Sequence, residues 1–111
     1  MEYYFERYGD IELQRRMVSD RWRTEAFARA IQEVVQSGHR VLDVGTGTGL
    51  LAMLSAKAGA AGVTGIDQSD IIETAAKLVK ANDLKDRGRL LRGPAAELQL
   101  DHKVDVLVSE W

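Results

Sequence analysis

The sequence predicts an α/β domain built on a parallel sheet and preceded by a helical arm. Three observations carry this. Val41-Leu42-Asp43-Val44 is apolar and β-branched on either side of its acid, as in a strand buried on both faces, and it runs into Gly45-Thr46-Gly47-Thr48-Gly49. Leu50, Leu51, Leu54 and Ala58 then repeat at helical spacing. A second apolar run closes on an acid, Asp67, 22 residues beyond Gly45, where a residue about 20 positions past a glycine loop is placed to accept hydrogen bonds from both ribose hydroxyls. Strand, glycine loop, helix, strand and acid in this order suit a nucleotide-bearing cofactor, because glycines let the backbone turn sharply and approach a ligand closely.

In chain order, the arm runs from about Tyr3 to Val35 with a break near Ser19 to Thr24, and its second half is expected to bury Phe27, Ala30, Ile31, Val34 and Val35. Ser37-Gly38 ends it. After the glycine-loop helix, Gly59 is the expected C-cap and Gly62 to Asp67 the second strand. Asp70 with Glu73 offers a capping box for a helix through Ile71, Ile72, Ala75, Leu78 and Val79. Arg89 to Arg92 reads as a third strand, Gly93-Pro94 as a turn, and Val104 to Ser109 as a fourth strand. Strands alternating with helices imply right-handed crossovers. The division is residues 1–37 as arm and 38–111 as a cofactor-binding half-domain.

Composition excludes several classes. At 111 residues, 45% of them hydrophobic, the chain has room for one core and no more. A net charge of −2 gives no electrostatic footprint for nucleic acid, and no segment reads as a membrane span or signal peptide. There is no cysteine for disulfides or thiolate chemistry, and the two histidines, His39 and His102, are far apart, which argues against a metal site. A cytoplasmic location is expected, with the nucleus also open.

The third glycine decides between cofactors. The dinucleotide fingerprint Gly-x-Gly-x-x-Gly needs its last glycine at position 50, but Leu50 stands there and Gly49 comes one residue early. Hydride chemistry is thereby disfavoured. Asp43-x-Gly45-x-Gly47-x-Gly49 resembles instead the pattern of class I methyltransferases around S-adenosylmethionine, a cofactor with no pyrophosphate to seat on a helix N-terminus.

More of the chain carries a narrower resemblance. Tyr4-Phe5-Glu6-Arg7-Tyr8, Met17-Val18-Ser19-Asp20-Arg21-Trp22-Arg23-Thr24, the glycine loop, Ala56-Lys57-Ala58-Gly59-Ala60, Lys103-Val104-Asp105 and Ser109-Glu110-Trp111, in that order, resemble the protein arginine N-methyltransferases across essentially the whole length. The resemblance implies a truncated Rossmann-like class I methyltransferase fold, S-adenosylmethionine as cofactor and an arginine-containing protein or peptide as substrate. It implies that Tyr4, Phe5 and Tyr8 fold over the cofactor, that Arg23 grips its methionine carboxylate, and that Asp43, Gly45, Gly47, Gly49 and Asp67 line its site. An arginine fork suits a carboxylate, and aromatic faces suit an adenine ring or a sulfonium. Plainer readings stand beside these: Tyr4, Phe5 and Tyr8 as the apolar stripe of a surface helix, Arg23 as a solvated charge, and Asp43 as a cap on the glycine loop.

Glu110 bears on the reaction type. A guanidinium keeps its proton at physiological pH and is a poor nucleophile, so carboxylates are needed to hold its plane and localise its charge. The resemblance makes Glu110 the first of two such glutamates; the plain alternative is an exposed charge at a strand end. The second glutamate and the C-terminal barrel of the family lie beyond Trp111, so the expectation is a cofactor half that is incomplete as a catalyst. Two further departures are visible. Gln14-Arg15-Arg16-Met17 replaces the family's His-Glu-Glu-Met, and the glutamate near the adenine amino group aligns with Ala96, leaving Glu97 one place later as the candidate. The last strand is expected to leave an unpaired edge that invites self-association or a partner chain, or, as the favoured expectation, to be completed by more of a longer natural chain. A methyltransferase for a small molecule or another protein side chain, and a noncatalytic cofactor-binding or assembly module, remain as alternatives.

Overall fold

The computed structural model describes residues 21–109. They form α1 (Arg21–Val34), β1 (Arg40–Val44), α2 (Leu50–Lys57), β2 (Gly62–Asp67), α3 (Ile71–Ala81), β3 (Gly88–Arg92), a 3-10 turn (Ala95–Glu97) and β4 (Val106–Ser109). The strands make one parallel sheet in the order β3-β2-β1-β4. Right-handed crossovers from β1 to β2 to β3 set α2 and α3 on one face. The chain then returns past both strands to pair β4 with the free side of β1, and that reversal makes a topological switch point at the carboxyl ends of β1 and β4.

Register decides what faces the helices. Val41 lies beside Val63 and Val106, and Asp43 beside Gly65 and Val108, so all of these share one face. Against it α2 buries Leu51, Ala52 and Ala56, α3 buries Val79, and Ile31 of α1 and Val35 just after it join the same cluster. The α2 sequence LLAMLSAK is apolar almost all round because the helix is covered by the sheet on one side and by α1 on the other. Its one buried hydroxyl, Ser55, is satisfied by donating to the Leu51 carbonyl at 2.8 Å.

Several local expectations shift by a residue or two. Ala58 is the C-cap of α2, and Gly59 follows it in the left-handed region. The Gly59 amide donates to the Ala56 carbonyl and the Ala60 amide to Ser55, the paired bonds of a Schellman ending. Ile31 on α1 and Val35 just after it are buried and Phe27 is half-buried, but Ala30 is exposed and Val34 is 54% exposed, so the inward stripe is narrower than the periodicity suggested. Arg21–Thr24, part of the expected break, is helical. The capping box at Asp70 and Glu73 does not form: Asp70 has helical dihedrals and no side-chain cap bond, its carboxylate pairs with Arg92, and the Ile71 amide reaches the Ser69 hydroxyl at 3.4 Å. β4 begins at Val106 instead of Val104, because Asp105 is engaged with Arg40. The Asp105 amide donates to the Arg40 carbonyl and the Arg40 amide to Asp105 Oδ2, both at 2.8 Å.

Candidate functional site

The carboxyl edge of the sheet brings the glycine loop, Asp43 and Asp67 together. The loop leaves β1 and doubles onto β2, where the Gly45 and Thr46 amides both donate to the Ile66 carbonyl, at 2.9 and 3.0 Å. A turn closes with the Gly49 amide on the Thr46 carbonyl at 2.8 Å, and the Gly49 carbonyl then accepts the Met53 amide as α2 begins. This path needs φ of +72°, +56° and +86° at Gly45, Gly47 and Gly49, a region costly to residues with a Cβ.

Asp67, at the end of β2 and half-buried, is committed to this loop. Its Oδ2 accepts the Gly47 amide and its Oδ1 the Ser69 amide, each at 2.9 Å. The second bond is an Asx turn that redirects the chain toward α3. A carboxylate offers about four lone-pair sites, so both oxygens keep acceptor capacity for ligand hydroxyls. The Asp67 carbonyl also accepts the Gly93 amide at 3.0 Å, which ties the segment carrying Glu97 to the same edge. Glu97 itself is exposed in the 3-10 turn, as is Ala96.

Beneath the loop Asp43 is only 1% exposed, and its Oδ2 accepts the Thr46 hydroxyl at 2.8 Å. That hydroxyl fits because Gly65 lies next to Asp43 in the sheet: a Cβ at position 65 would come within 2.7 Å of Thr46 Oγ1 and 2.9 Å of Leu90 Cδ2. Thr46 and Gly65 were missed by sequence reasoning. The available signals were the three-residue spacing from Asp43 to Thr46 and a glycine inside a buried strand, which marks close approach. Ser109 opens the Ser109-Glu110-Trp111 motif. Its hydroxyl donates to the Val44 carbonyl at 2.9 Å, pinning the end of β4 beside the start of the loop.

Arg23 lies in the first turn of α1, half-buried and engaged. Tyr4, Phe5, Tyr8 and Glu110 lie outside the described residues. Among the described residues no group of three or more His, Asp or Glu side chains is placed to hold a metal ion, and no helix is long and apolar enough to cross a membrane.

The arrangement fits the nucleoside end of S-adenosylmethionine. A Cβ added at Gly45 meets no atom within 4 Å, so the loop borders open space at its start, beside the switch point, while Thr46, Gly47 and Gly49 are buried. Asp67 presents a preformed acceptor beside that space. Oriented backbone and a fixed carboxylate can bind ribose hydroxyls at this position.

Comparison with known proteins agrees with this geometry. Residues 23–110 match the family model for ribosomal protein L11 methyltransferase (PrmA). Protein arginine N-methyltransferase 1 of Schizosaccharomyces pombe is 43% identical over 99% of this chain and 33% of its own length. Among solved structures, Arabidopsis thaliana protein arginine methyltransferase 10 superposes with a TM-score of 0.92 at 40% identity, covering 97% of this chain and 32% of that one. The Trypanosoma brucei PRMT1 enzyme-prozyme heterotetrameric complex with AdoHcy gives 0.88 at 38% identity, covering 94% and 33%. The chain spans about a quarter to a third of the length of the curated relatives it matches. With a loop built for a nucleoside cofactor, a family match over most of its length and relatives of this kind, the chain belongs to the class I methyltransferases and corresponds to a segment of the protein arginine N-methyltransferases.

Proposed function

We propose that this chain is the S-adenosylmethionine-binding part of a protein arginine methyltransferase. The observation that carries the reading is the Asp67 carboxylate fixed on the Gly47 amide at the mouth of the glycine loop. When bound, the cofactor supplies an electrophilic methyl on a sulfonium. Asp67 takes the ribose hydroxyls, the backbone from Gly45 to Gly49 lines the nucleoside, and Asp43 holds the loop from below through Thr46. Arg23 takes the methionine carboxylate as a bidentate fork, Tyr4, Phe5 and Tyr8 cover the cofactor from water, and Glu97 serves the adenine amino group.

Glu110 follows Ser109, whose hydroxyl anchors the strand end at the same edge. Its carboxylate holds one edge of the substrate guanidinium and concentrates positive charge on the nitrogens it touches, leaving the opposite nitrogen to attack. A second acid that fixes the plane completes the site, and the relatives' greater length accommodates it. The substrate is an arginine-containing protein. A partner chain is proposed for the edge of β4, which has a sheet neighbour on one side only among the described residues; one relative forms a heterotetrameric complex. Radiolabelled methyl transfer to an arginine-rich peptide tests the reading, comparing this chain with one extended to the length of its relatives. Labelling of arginine by the extended chain, lost in Glu110→Gln, supports it; transfer only to other acceptors overturns it.

A further inference from the structure

We propose that the amino edge of the sheet, opposite the cofactor site, carries a separate cleft for a phosphoryl group borne on a small molecule. A cleft of about 330 Å³ opens there across the starts of β1, β2 and β3. Arg40 begins β1, Arg87 and Arg89 flank Gly88 at the start of β3, and Gly62 begins β2 between those strands. Register sets Arg40 beside Gly62 and Gly88 beside Val63. A Cβ added at Gly62 meets nothing within 4 Å, so the floor is bare backbone with arginines on both sides. Lys85, from the turn after α3, and His102, from the segment returning to β4, complete the lining.

The charge is concentrated, with cations in excess. Four permanent cations line the cleft against one carboxylate, Asp86, in a chain whose net charge is −2. Among the described residues none of the four forms an ion pair within 4.0 Å. Asp105 takes the backbone amide of Arg40, and Asp101 is held by the His102 ring at 2.6 Å. Arg87 is already oriented, with Nη1 donating to the Ala56 carbonyl at 3.1 Å, and a guanidinium so anchored keeps further donors for a ligand. Arginine forks around a tetrahedral oxyanion give paired charge-assisted hydrogen bonds, and the volume exceeds that of a bare phosphate, leaving room for an attached organic group. The six residues of β2 hold the two edges roughly 17 Å apart, so a ligand here does not compete with the cofactor.

The test is amide-shift titration of the full chain with inorganic phosphate and with ribose 5-phosphate, using sodium chloride at matched ionic strength as the control. Saturable shifts at the Arg40, Gly62 and Gly88 amides, with Gly45, Gly47 and Gly49 unmoved, are expected. The tighter of the two probes identifies the source of the phosphoryl group. Arg40→Gln combined with Arg89→Gln should weaken binding about tenfold or more, and Lys85→Gln alone severalfold, which keeps the test open if the double variant folds poorly. Equal shifts with chloride, no saturation by either probe below about 10 mM, or unchanged affinity in the folded variants would overturn the proposal.

Discussion

Asp67 Oδ2 accepts the amide of Gly47 at 2.9 Å, which joins the end of β2 to the middle of the glycine loop before any ligand arrives. The residue expected to read a ribose therefore also builds the loop on which the ribose would rest. Removing it has two separable consequences. Asp67→Ala should weaken cofactor binding by roughly 1 to 3 kcal/mol, and should also lower stability without ligand, because the Gly47 and Ser69 amides lose their acceptor. Denaturant unfolding of the ligand-free protein checks the second part. Unchanged stability would mean that the carboxylate does not hold the loop.

Below the loop, Gly65 and Thr46 should behave as a coupled pair. Gly65→Ala forces a Cβ to 2.7 Å from Thr46 Oγ1, so a loss of about 1 to 3 kcal/mol is expected, together with displacement of the hydroxyl from Asp43. Thr46→Val deletes that hydrogen bond by itself and should cost about 1 to 3 kcal/mol. A double-mutant cycle on unfolding free energies measures the coupling; full additivity would contradict the contact.

The α1 helix offers a contrast between its two faces. Ile31→Ala should destabilise by about 2 to 5 kcal/mol, since Ile31 is 4% exposed and packs in the central cluster. Val34→Ala, at a position 54% exposed, should stay within about 0.5 kcal/mol. Thermal unfolding of both variants decides it, and similar losses at the two positions would reject the observed helix rotation.

Asp101 should titrate below the ordinary carboxylate value of 3.8, first because it hydrogen-bonds the His102 side chain, then through a backbone hydrogen bond and the nearby charges. A carboxyl with a depressed folded value contributes stability that is present above its unfolded value and lost as pH falls through its folded value. Carbon-detected titration of the Asp101 carboxyl reads this directly. His102→Ala should return it toward the ordinary value, and an unmoved titration would remove His102 as the cause.

Much of this arrangement was legible in the sequence, for identifiable reasons. Val41 to Val44 and Gly62 to Asp67 announce strands because both are buried on two faces and bounded by glycine or acid, and the spacing to Asp67 places it beside the loop. What failed to show depends on partners distant in sequence. The Asp70 carboxylate turns to Arg92, 22 residues on, and so leaves the helix end it was expected to cap. Asp105 hydrogen-bonds the backbone of Arg40, 65 residues away, which delays β4 to Val106. Ala30 and Val34 fall outside the core because α1 covers α2 along a narrow line, a tertiary fact invisible to periodicity. The tether from Asp67 to Gly47 is likewise nonlocal, although the Asx turn to Ser69 was open to reading from two residues' spacing.

The central claim is that this loop and acid select an S-adenosyl nucleoside over a dinucleotide, and calorimetric titration of the ligand-free protein with S-adenosylhomocysteine, S-adenosylmethionine and NAD tests it most directly. Saturable binding of both S-adenosyl compounds, weakened by Asp67→Ala and with no comparable response to NAD, is the expected result. Preferential binding of NAD, or S-adenosyl binding indifferent to Asp67→Ala, would contradict the assignment of the site.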